Sequence, residues 1–146
     1  MDIDQSLIFQ LFNEIGIIEQ LSKAQLEAQL PDGLKAPQFG VLNRFCRLGD
    51  NETPQSLASA FQVTKGAMTN TLKRLSDREL IIIRPDEKDG RSKRVFITEK
   101  GKDVRNQSIK AVSEKFMILN DHFDRAEVEA ALPFLNKLRV FLDNNR

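Results

Sequence analysis

Lys65, Thr69, Asn70, Lys73 and Arg74 share one chemistry. On a helix their spacing places them on adjoining faces, and each offers a hydrogen-bond donor or a positive charge. Such groups pair with phosphate oxygens or with the edges of bases, and an asparagine amide can pair bidentately with adenine. Gly66 and Ala67 in the same stretch leave room for close approach. A second basic group, Arg91, Lys93 and Arg94, follows in a polar run with Asp89 and Gly90. Neither group points to covalent chemistry. The chain has one His and one Cys, no Gly-rich phosphate loop and no nucleophile joined to a base, so no catalytic residue is assigned. His122 alone cannot build the usual zinc site, and no metal or cofactor is expected.

These residues need a scaffold, and the chain between Thr53 and Gly101 reads as one. Thr53 before Pro54 is a helix start, because the hydroxyl can satisfy an orphan N–H and proline gives up a donor that had no partner. Leu57, Ala58 and Phe61 fall on one side of that short helix. Thr64 caps a second helix whose Met68, Leu72 and Leu75 repeat at the spacing of a buried stripe. Leu80 to Arg84 and Lys93 to Thr98 are β-branched runs, and the polar PDEKDGRS between them can only be a loop. Two helices followed by a hairpin with Arg91 at its tip make a helix-turn-helix with a wing. The predicted fold class is mainly α with a small antiparallel β wing.

DEKDGRSKRVFITEKG, with Thr53 to Leu80 before it, resembles the winged helix of the MarR (multiple antibiotic resistance regulator) family of bacterial transcription regulators. The resemblance covers roughly residues 36–101, and the flanking helices match in length and order. It implies a homodimeric regulator, a repressor, on a pseudo-palindromic operator in double-stranded DNA. Thr64 to Arg74 would enter the major groove, and Arg91 would reach phosphate or the adjacent minor groove. Lys93 and Arg94 read as phosphate anchors. Asp89 and Arg91 occupy the family's Asp-x-Arg signature, which implies that Asp89 orients the Arg91 guanidinium. Ordinary turn chemistry accounts equally well for an Asp before Gly. The family also implies a small aromatic ligand between the arms and the DNA-binding lobe, where Phe39 and Phe45 are the candidates, although both also read as core residues. Gln62 and Glu79 stand where the family often has glycine, which suggests slightly different turns. The alternative reading, a winged-helix protein-interaction module, would not need the basic outward face.

A chain of 146 residues, 40% hydrophobic and 29% charged, fits one compact domain rather than a disordered chain. Its net charge of +1 hides an uneven distribution. Residues 1–35 carry six acids against two lysines, whereas residues 62–94 carry nine bases against five acids. Affinity for phosphates depends on that local excess. No apolar run is long enough to span a membrane, so no membrane partner is expected. The first residues lack a secretory basic region, and a single cysteine forms no internal disulfide, which together point to the cytoplasm. The resemblance also raises a redox-switch reading of Cys46. Similar proteins hold such a thiol with tyrosines, which this chain lacks, so Cys46 reads instead as a core residue.

The flanks read as long helices. Leu7, Ile8, Leu11, Phe12, Ile15, Ile18 and Leu21 recur at helical steps from about Asp4 to Ala28, with Phe9 and Ile17 outside the stripe. A helix apolar over more than one face needs a second covering surface, here another subunit. Pro31 to Gly33 breaks it, and Pro37 opens the next helix. After the wing a helix is expected from Thr98 to about Phe123, then a last one capped by Asp124 with Glu127. Val128, Ala131, Leu135, Leu138 and Leu142 form its coiled-coil-like seam, and Pro133 should kink or split it. The expected organisation is a single domain, with residues 36–98 as the DNA-binding lobe and residues 1–30 and 99–146 as the helical dimerisation region.

Overall fold

The computed structural model describes residues 2–146. Helix α1 (Gln5–Gln29) leads through a 3-10 turn (Pro31–Gly33) to α2 (Ala36–Leu48), α3 (Pro54–Phe61) and α4 (Lys65–Asp77). Strands β1 (Ile81–Pro85) and β2 (Lys93–Ile97) follow, then α5 (Glu99–Phe116), a 3-10 segment (Met117–Asp121) and α6 (Arg125–Asn144).

Side-chain caps set most helix starts. Thr53 accepts the Ser56 N–H at 3.0 Å, Thr64 the Ala67 N–H at 3.1 Å and Thr98 the Gly101 N–H at 3.0 Å. Asp4 accepts the Leu7 N–H at 2.8 Å, and Glu127 closes the capping box by accepting the Asp124 N–H at 2.9 Å. Each cap satisfies a donor that the helix itself leaves unpaired.

The core fills the space between α2, α3, α4 and the hairpin. Val41, Leu42, Leu57, Leu72, Leu75, Leu80 and Val95 are all fully buried. The strands pair antiparallel, from Ile81 opposite Ile97 to Pro85 opposite Lys93. A bridge between Glu52 and Val95 ties β2 to the segment entering α3. Helix α5 docks on the start of β1 at Gly101, where an added Cβ would lie 2.2 Å from the Leu80 carbonyl oxygen. Only glycine allows that approach.

Three expectations change. Helix α5 stops at Phe116 instead of running to Phe123. Asn120, Asp121 and Asp124 follow that point, and such side chains compete with helical bonding. Helix α6 runs through Pro133 as one element rather than two. The proline frees the carbonyl of an exposed residue, Glu129, and water can take the place of the missing donor. Gln62 (φ 54°) and Glu79 (φ 61°) adopt the left-handed conformation that glycine favours. The two turns therefore keep the glycine geometry with other side chains in it.

The ends of the chain differ from the centre. Neither α1 nor α6 contains a buried residue. Leu7, Phe12, Ile18 and Leu21 of α1, Leu119 and Phe123, and Leu135 and Phe141 of α6 are all exposed. Among the described residues, no helix is long and apolar enough to cross a membrane.

Candidate nucleic-acid interface

Helix α4 is held by its buried side, Met68, Leu72 and Leu75. That anchoring leaves Lys65, Thr69, Asn70, Lys73 and Arg74 exposed on the other faces, with Thr64 exposed at the cap. Thr69 donates its hydroxyl to the Lys65 carbonyl at 2.9 Å, which commits its proton and leaves the oxygen as an acceptor. Lys73 pairs with Asp77 at 2.9 Å, one helical turn on. An exposed pair of this kind is weak, but it compensates part of the lysine charge. Among the described residues, no hydrogen bond or ion pair occupies the side chains of Lys65, Asn70, Arg74, Arg91 or Lys93.

A groove of about 590 Å³ runs between the start of α3, α4 and the wing. Lys65, Thr69 and Lys73 line one wall, and Arg91 and Lys93 line the other. Residues far apart in sequence thus share one basic concavity. Thr53, Gln55 and Ser92 also line it, and the residue types alone had not singled them out. The Thr53-Pro54 cap was the available signal, because it places the positive end of α3 at this groove. Asn70 and Arg74 lie outside the groove lining, on the adjoining outward face of α4.

In the wing, Asp89 makes the turn contacts that one of its two readings expects. Its carboxylate accepts the backbone N–H of Arg91 at 3.0 Å and the Ser92 hydroxyl at 3.4 Å. It makes no bond to the Arg91 guanidinium, so turn chemistry is what Asp89 supplies. The guanidinium that is locked is that of Arg94, whose Nε donates to Asp86 at 2.8 Å. That bond, with the Lys88 N–H next, holds the Asp86 carboxyl below the usual carboxylate range. Arg94, expected as a phosphate anchor, is half-buried and paired.

Behind the interface, Arg44 of α2 grips Glu52 through two bonds of 2.8 and 3.0 Å. Ser56 donates to the same carboxylate at 3.1 Å, which fixes the entry to α3. The hydrogen bond to Glu52 raises the Arg44 pKa above its ordinary value.

Phe45 belongs to the buried core and Phe39 packs against it. Neither lines the basic groove above or the one between α2, α3 and α6, because each packs in or against the core. A groove of about 560 Å³ lies instead between α2, α3 and the end of α6, lined by Gly40, Arg47, Phe61, Arg139 and Leu142 among others. Cys46 is half-buried. The Lys102 pKa is raised chiefly by its hydrogen bond to Glu99.

An exposed basic helix, held from behind and flanked by a two-stranded wing, defines a winged helix-turn-helix protein. A sequence profile of the MarR family matches residues 32–92. A MarR transcriptional regulator from Methanosarcina mazei Go1 is 30% identical, with a TM-score of 0.73 over 92% of this chain and 95% of that one. Wild-type MarR from E. coli is 25% identical, with a TM-score of 0.75 over 94% of this chain and 98% of that one. The regulator BldR from Sulfolobus solfataricus shares the fold at 24% identity, with a TM-score of 0.78 over 93% and 97% of the two chains. The chain belongs to the MarR family of transcriptional regulators. Regulators of that family are not enzymes; they bind DNA and act as dimers.

Proposed function

We propose that this chain is a cytoplasmic homodimeric repressor that binds a pseudo-palindromic operator and is released by a small aromatic ligand. The observation that carries the DNA-binding reading is the single basic groove shared by α4 and the wing. Residues 36–98 form the DNA-binding lobe, and residues 1–30 and 99–146 supply the dimer contacts. Helix α4 enters the major groove, where Asn70 reads a base and Lys65, Thr69, Lys73 and Arg74 contact bases or phosphates. Arg91 at the exposed wing tip acts on the backbone or a narrow minor groove, and Lys93 adds a phosphate contact. Two lobes related by a two-fold axis would address half-sites about one helical turn apart. Repression follows by occlusion of the operator.

The ligand reading moves away from Phe39 and Phe45. The groove between α2, α3 and α6 has an aromatic wall at Phe61 and a cationic rim, and its size suits a small molecule. It joins the end of an arm to the first helix of the helix-turn-helix, so a ligand there would bias the spacing of the two lobes.

The test begins by selecting bound fragments from the protein's own genome to obtain an operator. A salt titration of Asn70→Ala and Arg91→Ala then compares that operator with a scrambled duplex. Asn70→Ala should cost about 1–3 kcal/mol on the operator and much less on scrambled DNA. Arg91→Ala should weaken both and reduce the salt slope by about one phosphate per subunit. Equal losses on both duplexes for Asn70→Ala, or an unchanged slope for Arg91→Ala, would overturn the assignment. No retention of any genomic fragment would favour a protein-interaction module.

A further inference from the structure

The loop from Asp86 to Ser92 has the composition DEKDGRS and contains no apolar side chain to anchor it. Its position must come from polar bonds, and these converge on Asp86. That side chain is only 15% exposed, although its loop neighbours lie open to solvent. One carboxylate oxygen accepts the backbone N–H groups of Lys88 at 2.8 Å and Asp89 at 3.3 Å. The other accepts Arg94 Nε at 2.8 Å. The Asp86 N–H donates to the Ser92 carbonyl at 2.9 Å, which closes the base of the loop.

Arg94 continues the path out of the wing. Its Nη1 donates to the backbone carbonyl of Asn51 at 3.1 Å, 43 positions away in sequence. Asn51 precedes the start of α3, and its own N–H donates to the Val95 carbonyl at 2.8 Å. One guanidinium therefore joins the wing loop to the segment that leads into the helix-turn-helix.

We infer that Asp86 and Arg94 are a positioning pair that sets the pose of the wing relative to α3 and α4, with Arg94 acting on DNA only through that pose. The inference rests on the DNA-binding reading above. A guanidinium with two donors committed and a carboxylate at 2.8 Å has little charge left to displace counterions from phosphate. Arg91 and Lys93 are then the wing's contacts with DNA, and Asp86–Arg94 decides where they point.

Two substitutions separate this from plain electrostatics, because they predict opposite signs. Asp86→Asn removes a negative charge beside the DNA, so a purely electrostatic role would tighten binding. It retains an oxygen for the Lys88 and Asp89 N–H groups and breaks the bond to Arg94. The positioning role requires binding to weaken. Arg94→Lys keeps the charge but cannot reach Asp86 and the Asn51 carbonyl at once, because an ammonium lacks the planar fork. A phosphate anchor would tolerate that change.

The experiment titrates full-length wild type, Asp86→Asn and Arg94→Lys onto a 30-base-pair random-sequence duplex, which reports the backbone interaction. It also measures amide hydrogen exchange of residues 86–94 in the free proteins. The expected result is binding weaker by roughly threefold to tenfold in each variant, the range of a partly exposed ion pair with its hydrogen bonds. Exchange across the wing should quicken, while the amides of Leu72 and Leu75 keep their rates. Binding by Asp86→Asn that is unchanged or tighter, or wing exchange equal to wild type, overturns the inference. If the wild type fails to bind the duplex, the DNA-binding reading falls instead, and the exchange rates alone support or overturn the pair.

Discussion

Leu75 in α4 and Leu21 in α1 both stand on apolar stripes with helical spacing, yet Leu75 is 0% exposed and Leu21 is 66% exposed. The difference runs through the whole molecule. The core cluster draws its buried residues from Leu30 to Val95, whereas α1 and α6 contribute none. A stripe shows that a helix has something to cover and does not show what covers it. In the lobe the cover is the chain's own α2, α3 and hairpin. On the arms it is a second copy, in the reading proposed above. Ten leucine-sized side chains buried in such a dimer would supply roughly 15–30 kcal/mol. The cost of association is about 4–15 kcal/mol, so the gain can exceed it.

Substitutions that treat the two regions alike should therefore separate them. Leu75→Ala empties part of a closed core and should lower stability by roughly 2–5 kcal/mol. In urea unfolding, that loss should not depend on protein concentration. Gly101→Ala is the next largest, because its methyl has no space beneath the Leu80 carbonyl. It should cost at least about 2 kcal/mol, with weaker docking of α5 seen as faster exchange of the Thr98 amide. On the arms, Leu21→Ala or Leu135→Ala should leave helicity and the lobe's exchange pattern intact. Each should weaken dimerisation by at least about tenfold, measured by sedimentation across a dilution series. An arm substitution that unfolds the lobe at every concentration would erase the distinction between the regions.

Smaller effects sharpen the picture inside the lobe. Glu79 holds a left-handed φ of 61° without a glycine. Glu79→Gly should raise stability by about 0.5–1 kcal/mol, read from the urea midpoint, because relief of strain exceeds the added chain entropy. Least of all should be the pH effect at the joints of the lobe. The Ala36 N–H first, and then Lys35, hold the Glu27 carboxyl below its usual range. Asp86 is lowered chiefly by Arg94. A depressed folded-state pKa contributes stability that is complete above the ordinary carboxylate range, about pH 4. It is lost as pH falls through the lower folded value. Stability differences between wild type and Glu27→Gln or Asp86→Asn should thus stay constant from about pH 5 to 8 and shrink in more acid solution.

Much of the lobe was legible because local chemistry and tertiary demand agreed there. Thr53, Thr64 and Thr98 are caps by residue type and by geometry, and Met68, Leu72 and Leu75 are buried where their spacing placed them. The exposed face of α4 followed from the same periodicity. What the sequence concealed depended on contacts across long separations. Phe39 and Phe45 could be read as ligand-facing or as core, and only packing decided for the core. The partner of Arg94 could not be read from the sequence for a similar reason. Motif spacing draws the eye to Asp89, but the folded hairpin brings Asp86 to the guanidinium. Opposite charges at the two sides of the loop base were the available signal. The exposed arms stayed open for a different reason, since an apolar stripe reads the same whether its cover is internal or a second chain.

The most direct measurement of this account is sedimentation equilibrium of the full-length protein at micromolar concentration. A mass of twice the 16.6 kDa of one chain, falling toward the monomer in Leu21→Ala and Leu135→Ala, is the predicted result. A well-folded monomer of wild type at that concentration would contradict it, because the apolar faces of α1 and α6 would then be stable in water.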